Sequence, residues 1–193
     1  IKLIPRVNEL PNQRFNAVSV IRSPHNQVVS YPVVDCSYRS ERLVLKPRQE
    51  KEISQRLISQ SVSAMKENDS YGLVTFRFDT QSNLIEEVRG LSKEAIWSLG
   101  FSYISIFENY LRAEHDLPLG EPESRDSNWI SMEFQAPSHL DMSKPYLHLF
   151  AHNPRYKIRK LNSHQGFLAL SGLGEISKSA EHGVDYLEAI IEE

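Results

Sequence analysis

The sequence is poor in the residues that announce chemistry. It holds one cysteine, Cys36, so no disulfide forms within the chain, and that usage fits a reducing, intracellular setting. With no histidine beside it to lower its pKa, Cys36 is expected as a packed or surface thiol rather than a nucleophile. Only eight glycines are present, with no G-x-G-x-x-G or P-loop run, so no phosphate-cradling loop is written in the chain. No apolar run approaches the roughly 20 residues of a membrane span. Positive charge is not in excess either: the formal net charge is -3, which gives nucleic acid and anionic lipid no global attraction. Arg22, Arg39, Arg42, Lys46 and Arg48 tint the first half basic, but Asp35, Glu41 and Glu50 offset them. No G-x-S-x-G elbow points to a hydrolase. The chain opens "IKLIPRVNELPN" without a methionine or a signal-peptide pattern, which raises the expectation of a cleaved or absent upstream part.

What is present is a globular composition. Hydrophobic residues at 40% and a mean hydropathy of -0.43 provide for one substantial core, or two small ones, in 193 residues. The β-branched runs Phe15–Arg22 and Gln27–Val34, joined by "SPHN", predict a hairpin. Ile53, Leu57, Ile58, Val62 and Met65 recur at helical spacing between Pro47 and Glu67. "YGLVTFRFDTQSNLIEEV" reads as a second hairpin turning at "TQSN". Trp97, Phe101, Ile104, Phe107 and Leu111 share one helical face, and Pro118 and Gly120 end that helix. "WISMEF", "PYLHLF", "RYKIRKL" and "GFLALSG" read as short strands. Ile176, Ala180, Val184, Leu187 and Ile191 form the stripe of a closing helix. This order predicts an α+β fold, an antiparallel sheet covered on one side by helices. The Pro-, Ser- and Asp-rich stretch after Gly120 suggests a division into residues 1–120 and a small β-rich part, 121–193, with a terminal helix.

One segment is more specific. "SIFENYLRAEHDLPLG" resembles the helix and turn of carboxyaminoimidazole ribonucleotide synthase (PurK), the ATP-grasp enzyme of purine biosynthesis, whose pattern is S-Q-F-E-x-H-L-R-A followed by L-P-L. Ser105, Phe107, Glu108, Leu111, Arg112, Ala113, Leu117, Pro118 and Leu119 match, and Tyr110 departs. "YPVV", Tyr31 to Val34, is similar to a strand of the ATP-grasp domain. His148, Leu149, Arg159, Lys160 and His164 fit the family's C-terminal H-L-Y-G-K and G-R-K-M-G-H, with one extra residue before His164. The resemblance implies the C-terminal part of an ATP-grasp fold, with ATP and magnesium as the family's cofactors and bicarbonate activation as its chemistry. Counting back from the helix sets Trp97 on a motif tryptophan and Glu86 on a metal-binding glutamate, with Ile85 in place of an asparagine. Counting forward from Gly72 sets Arg77 where the other metal glutamate belongs, so a cation stands where a divalent metal needs an anion. "SKEAI", Ser92 to Ile96, replaces the polar loop H-N-S-G-H.

Each candidate residue also has an ordinary alternative. Glu86 is a residual magnesium ligand or, with Glu87, a solvated carboxylate by a hairpin; adjacent strand residues face opposite ways, so only one enters a given site. Asp79 serves a metal or its own turn. Arg155, Lys157 and Arg159 on one strand face, with Lys160, suit a phosphate or form a charged edge that blocks aggregation. His148, His152 and His164 come without cysteines and, with "PYLHLF" read as a strand, without a shared helical face, so packing and surface contacts are favoured over zinc.

The reading that follows is a degenerate PurK-like ATP-grasp relative, a non-catalytic structural or interaction subunit with no cofactor. Its partners are other protein subunits, with self-association left open. The alternatives are the C-terminal portion of a functional ATP- and magnesium-dependent carboxyaminoimidazole ribonucleotide synthase and a module binding a phosphorylated metabolite.

Overall fold

In the computed structural model, which describes residues 14–137 and 141–189, a nine-stranded sheet runs β6-β5-β1-β3-β4-β7-β9-β8, with β2 paired to β1. The pairings are antiparallel. Strand β1, Arg14–Arg22, is buried almost throughout because both its faces are covered. Phe15, Ala17 and Ile21 enter one apolar cluster, whereas Val18 and Val20 enter another, as the two-residue period of a strand requires.

The first hairpin is shorter than its sequence suggests. Strand β2, Val28–Ser30, pairs only with the end of β1; the chain then leaves the ladder, and β3, Val34–Arg39, returns along the start of β1. Strand β4, Arg42–Pro47, follows through Ser40 and Glu41, both at positive φ (48° and 67°). Two such residues make the tight hairpin turn usually given to Asn and Gly, so nothing conventional marks it in the sequence. Helix α1, Lys51–Glu67, buries Leu57, Ser61 and Met65 at four-residue spacing. Strands β5, Gly72–Phe78, and β6, Leu84–Arg89, form the expected second hairpin.

The single helix expected across Trp97 to Leu111 is broken. A 3-10 helix, Lys93–Trp97, passes into a short α2, Ser98–Phe101; Ser102 is extended, and α3, Ile106–Glu114, starts anew. Serines cause the break by competing for backbone donors. The Ser105 hydroxyl accepts from the Glu108 N–H at 3.1 Å, and that of Ser98 accepts from the Ile106 N–H at 3.0 Å. Leu111 is consequently 57% exposed instead of lying on the buried stripe.

Beyond Gly120, β7, Trp129–Gln135, pairs with β4 and with β9, Gln165–Ser171. "PYLHLF", expected as a strand, lies in helix α4, Ser143–His152, with Pro145 in the first turn, where its missing N–H costs nothing. Strand β8, Lys157–Lys160, forms one edge of the sheet, and α5, Ile176–Glu188, closes the described chain. Ala180, Val184 and Leu187 of its expected stripe are fully buried; Ile191 lies outside the described residues.

Helices cover both faces of the sheet, not one. On the first face the 3-10 helix, α2 and α3 bury Leu43, Leu45, Trp129, Phe167 and Ala169. On the second, α1 covers the β1–β5 region while α4 and α5 cover β7 and β9. The rings of Trp97 and Trp129 stack at 5.0 Å and 6°, and Phe101 stacks on Trp129 at 5.1 Å. The sheet and its first-face core thus run without interruption across residue 120.

Candidate functional site

Two of the segments that carry the family-like pattern, "YPVV" and the helix with its "LPLG" turn, meet in space. Tyr31 of "YPVV" donates its hydroxyl to the Ile104 carbonyl at 3.0 Å and accepts from Asn109 Nδ2 at 2.9 Å. Asn109 is fully buried in α3; it also donates to the Gly120 carbonyl and accepts from the Gly120 N–H, each at 2.8 Å. Gly120 has no room for a side chain, since a Cβ there would lie 2.7 Å from Ile104. The helix and its "LPLG" turn are therefore a packing unit built around Asn109.

The chemically richest cluster lies on β5, β6 and the 3-10 helix. Arg77 and Glu86 are cross-strand partners in the β5–β6 ladder. The Arg77 guanidinium donates to Glu86 Oε2 at 2.8 Å and lies 2.7 Å, by its other terminal nitrogen, from Glu94 Oε1. Glu94 is only 2% exposed. Burial works against the charge on Arg77, but the carboxylates of Glu94 and Glu86 outweigh it and hold its pKa above the ordinary arginine value. Arg77 Nε and Glu94 Oε2 are buried with no hydrogen-bond partner among the described residues. Cys36 packs nearby; burial, reinforced by the Glu94 charge, pushes its thiol up, which leaves it protonated and inert. Its expected role as a packed thiol matches this environment.

These residues do not fit a divalent cation. Magnesium needs several oxygen ligands in octahedral array. Both carboxylates that converge here face a guanidinium whose positive charge would repel the ion. Asp79 is occupied in its own turn, where it accepts from the N–H groups of Gln81 and Asn83 at 2.8 Å and from Asn83 Nδ2 at 2.9 Å. Glu87, beside Glu86 on β6, projects to the opposite sheet face. Among the described residues no group of three His, Cys, Asp or Glu could hold a metal.

The candidate phosphate contacts diverge. Lys157 donates to the Gly100 carbonyl at 2.8 Å and lies over the Phe101 ring at 4.7 Å. Burial lowers its pKa. Arg159, on the same face of β8, reaches the Leu99 carbonyl at 3.4 Å. Both thus serve the carbonyls of α2, the usual place for a cation at a helix end. Lys160 lies over the Tyr146 ring, 4.9 Å from its centroid. Arg155 precedes the strand and sits against Gly172, where a Cβ would lie 2.9 Å from its guanidinium. The basic tint of the first half is similarly engaged: Arg39 and Arg42 bind Glu181, Asp185 and Glu188 of α5, Arg48 binds Asp35 and Glu50, and Arg22 binds Asp69.

Sequence reasoning located Arg77 and Glu86 but missed Glu94, which fell in the "SKEAI" stretch noted only for what it lacks. The available signal was the Glu itself: a cation on a strand requires anions around it when buried.

No family model matches the sequence, and no curated protein matches it. Solved structures do match. An ADP complex of purK, N5-carboxyaminoimidazole ribonucleotide synthetase, superposes with a TM-score of 0.74 at 16% identity, covering 92% of this chain and 50% of that one. The synthetase from Thermus thermophilus gives a TM-score of 0.72 at 17% identity, covering 96% and 53%. The phosphoribosylaminoimidazole carboxylase ATPase subunit from Aquifex aeolicus gives 0.69 at 17%, covering 91% and 56%. The chain spans about half the length of these structures. At such identity the likeness speaks for fold: this chain has the α+β fold of the matching half of these PurK-type ATP-grasp structures.

Proposed function

We propose that the chain is a PurK-like ATP-grasp relative that has lost the carboxylating chemistry and serves inside the cell as a structural or interaction subunit. One observation carries the reading. The Arg77 guanidinium, at the position that the family pattern gives to a metal carboxylate, fills the space between Glu86 and Glu94. Phosphoryl transfer from ATP depends on a divalent ion bridging the phosphates. A guanidinium bonded to both carboxylates occupies an oxygen of each and repels a second cation, and Lys157, Arg159 and Lys160 are spent on carbonyls and a ring. No ATP or magnesium requirement follows from this reading. The chain, incubated with ATP, magnesium, bicarbonate and aminoimidazole ribonucleotide, is expected to release no ADP above the rate without the ribonucleotide; ribonucleotide-stimulated turnover overturns the proposal.

A second reading has its own support in the coverage: a chain matching about half of each synthetase is what a portion of a longer ATP- and magnesium-dependent enzyme would give. Intact mass of the native protein, with identification of co-purifying subunits, separates the two. A native polypeptide near twice this length favours the enzyme, and a short chain found with other subunits favours the non-catalytic role.

A further inference from the structure

Reading "PYLHLF" as a strand separates His148 from His152 by about 13 Å, four residues at roughly 3.3 Å each. Helix α4 changes their relation, because residues four apart on a helix lie one above the other. Their ring centroids are 4.4 Å apart with a 58° tilt, and both residues are exposed. The His148 ring also stacks on Tyr186 of α5 at 4.7 Å and 21°. Neither imidazole enters a hydrogen bond or an ion pair among the described residues, so the nitrogen lone pairs are not committed elsewhere.

We propose that His148 and His152 form a two-imidazole clip for a late first-row divalent cation. Imidazole nitrogen suits copper(II), nickel(II) and zinc(II), with copper(II) bound most tightly, whereas magnesium prefers oxygen. No third His, Cys, Asp or Glu converges on the pair among the described residues, so water completes the coordination and the site is exchangeable. Chelation joins the last two turns of α4, and the stack on Tyr186 carries that restraint to α5. The site lies on the sheet face opposite the Arg77 cluster and does not depend on it.

A cation that binds the folded chain raises its stability by mass action. Thermal unfolding is therefore measured with the chloride of nickel, copper, zinc or magnesium as the only addition. The expected result is a rise in the unfolding midpoint with nickel and zinc, a larger rise with copper, and none with magnesium. The rise is lost in His148→Gln and in His152→Gln and retained in His25→Gln. Among the described residues His152 makes its ring contact only with His148, so His152→Gln decides the matter even if His148→Gln loosens the Tyr186 stack. A rise that survives His152→Gln, or no rise with any of the three late metals, overturns the proposal.

Discussion

Arg77 shows how much depends on a single charge placed between two others. Truncation in Arg77→Ala leaves the Glu94 carboxylate, 2% exposed, without its cation, and breaking a buried pair in this way costs about 3–5 kcal/mol. Urea denaturation is expected to register that loss, with Arg77→Ala/Glu94→Gln recovering part of it because the uncompensated charge is gone; a loss below about 1 kcal/mol contradicts the pairing. Tyr31 gives a second test. Its burial raises the phenol well above the ordinary value, with the Asn109 hydrogen bond acting in the other direction. The unfolded chain ionises this phenol near pH 10 while the native one keeps its proton. The contribution is thus intact below that pH and is lost as pH rises through the alkaline range. Tyr31→Phe should flatten this alkaline loss and cost about 1 kcal/mol at neutral pH for its hydrogen bonds, as read by denaturation midpoints across the alkaline range. Arg77 was legible in the sequence because counting along a pattern needs only one dimension. Glu94 was not, because its role depends on a 3-10 turn that brings it over the β5–β6 hairpin.

Among the elements, the legible ones were those whose periodicity runs long. Helix α1, the β5–β6 hairpin and the apolar stripe of α5 were all readable from spacing. The illegible ones were decided by local competition or tertiary cover. Six apolar-rich residues in "PYLHLF" suit strand or helix alike, and packing of Pro145 and Leu149 settled the matter. The break before α3 was signalled by Ser105 and Glu108, a serine followed three residues later by glutamate, which marks a helix start. Ser105→Ala should lower stability by about 1 kcal/mol in a thermal or urea titration; an unchanged midpoint would mean that water replaces the cap at no cost. Strand β8 is pinned more severely. A Cβ at Gly166 would lie 2.5 Å from the Arg159 carbonyl oxygen of the facing strand and 3.1 Å from the Phe134 ring. Gly166→Ala is therefore expected to cost about 1–3 kcal/mol, as overpacking does, read as a lowered urea midpoint at unchanged slope.

At the scale of the whole molecule, the β4–β7 pairing and the shared core across residue 120 couple the early and late strands. The chain is expected to unfold in one calorimetric transition with matching calorimetric and van't Hoff enthalpies; two resolved transitions would show that the segments before and after residue 120 melt apart. The α+β class was legible because it needs only the order of elements. Coverage of both faces was hidden because the helices that share a face are far apart in sequence: α1 lies with α4 and α5. The stacked indoles have a further consequence. Trp97 and Trp129 are the only two tryptophans in the chain, and they stand parallel at 5.0 Å, close enough for their electronic transitions to couple. Circular dichroism in the strong far-ultraviolet indole band is therefore expected to carry an exciton signal from one joint, the seam between the 3-10 helix and β7. Its disappearance is a label-free optical marker of the moment that seam opens.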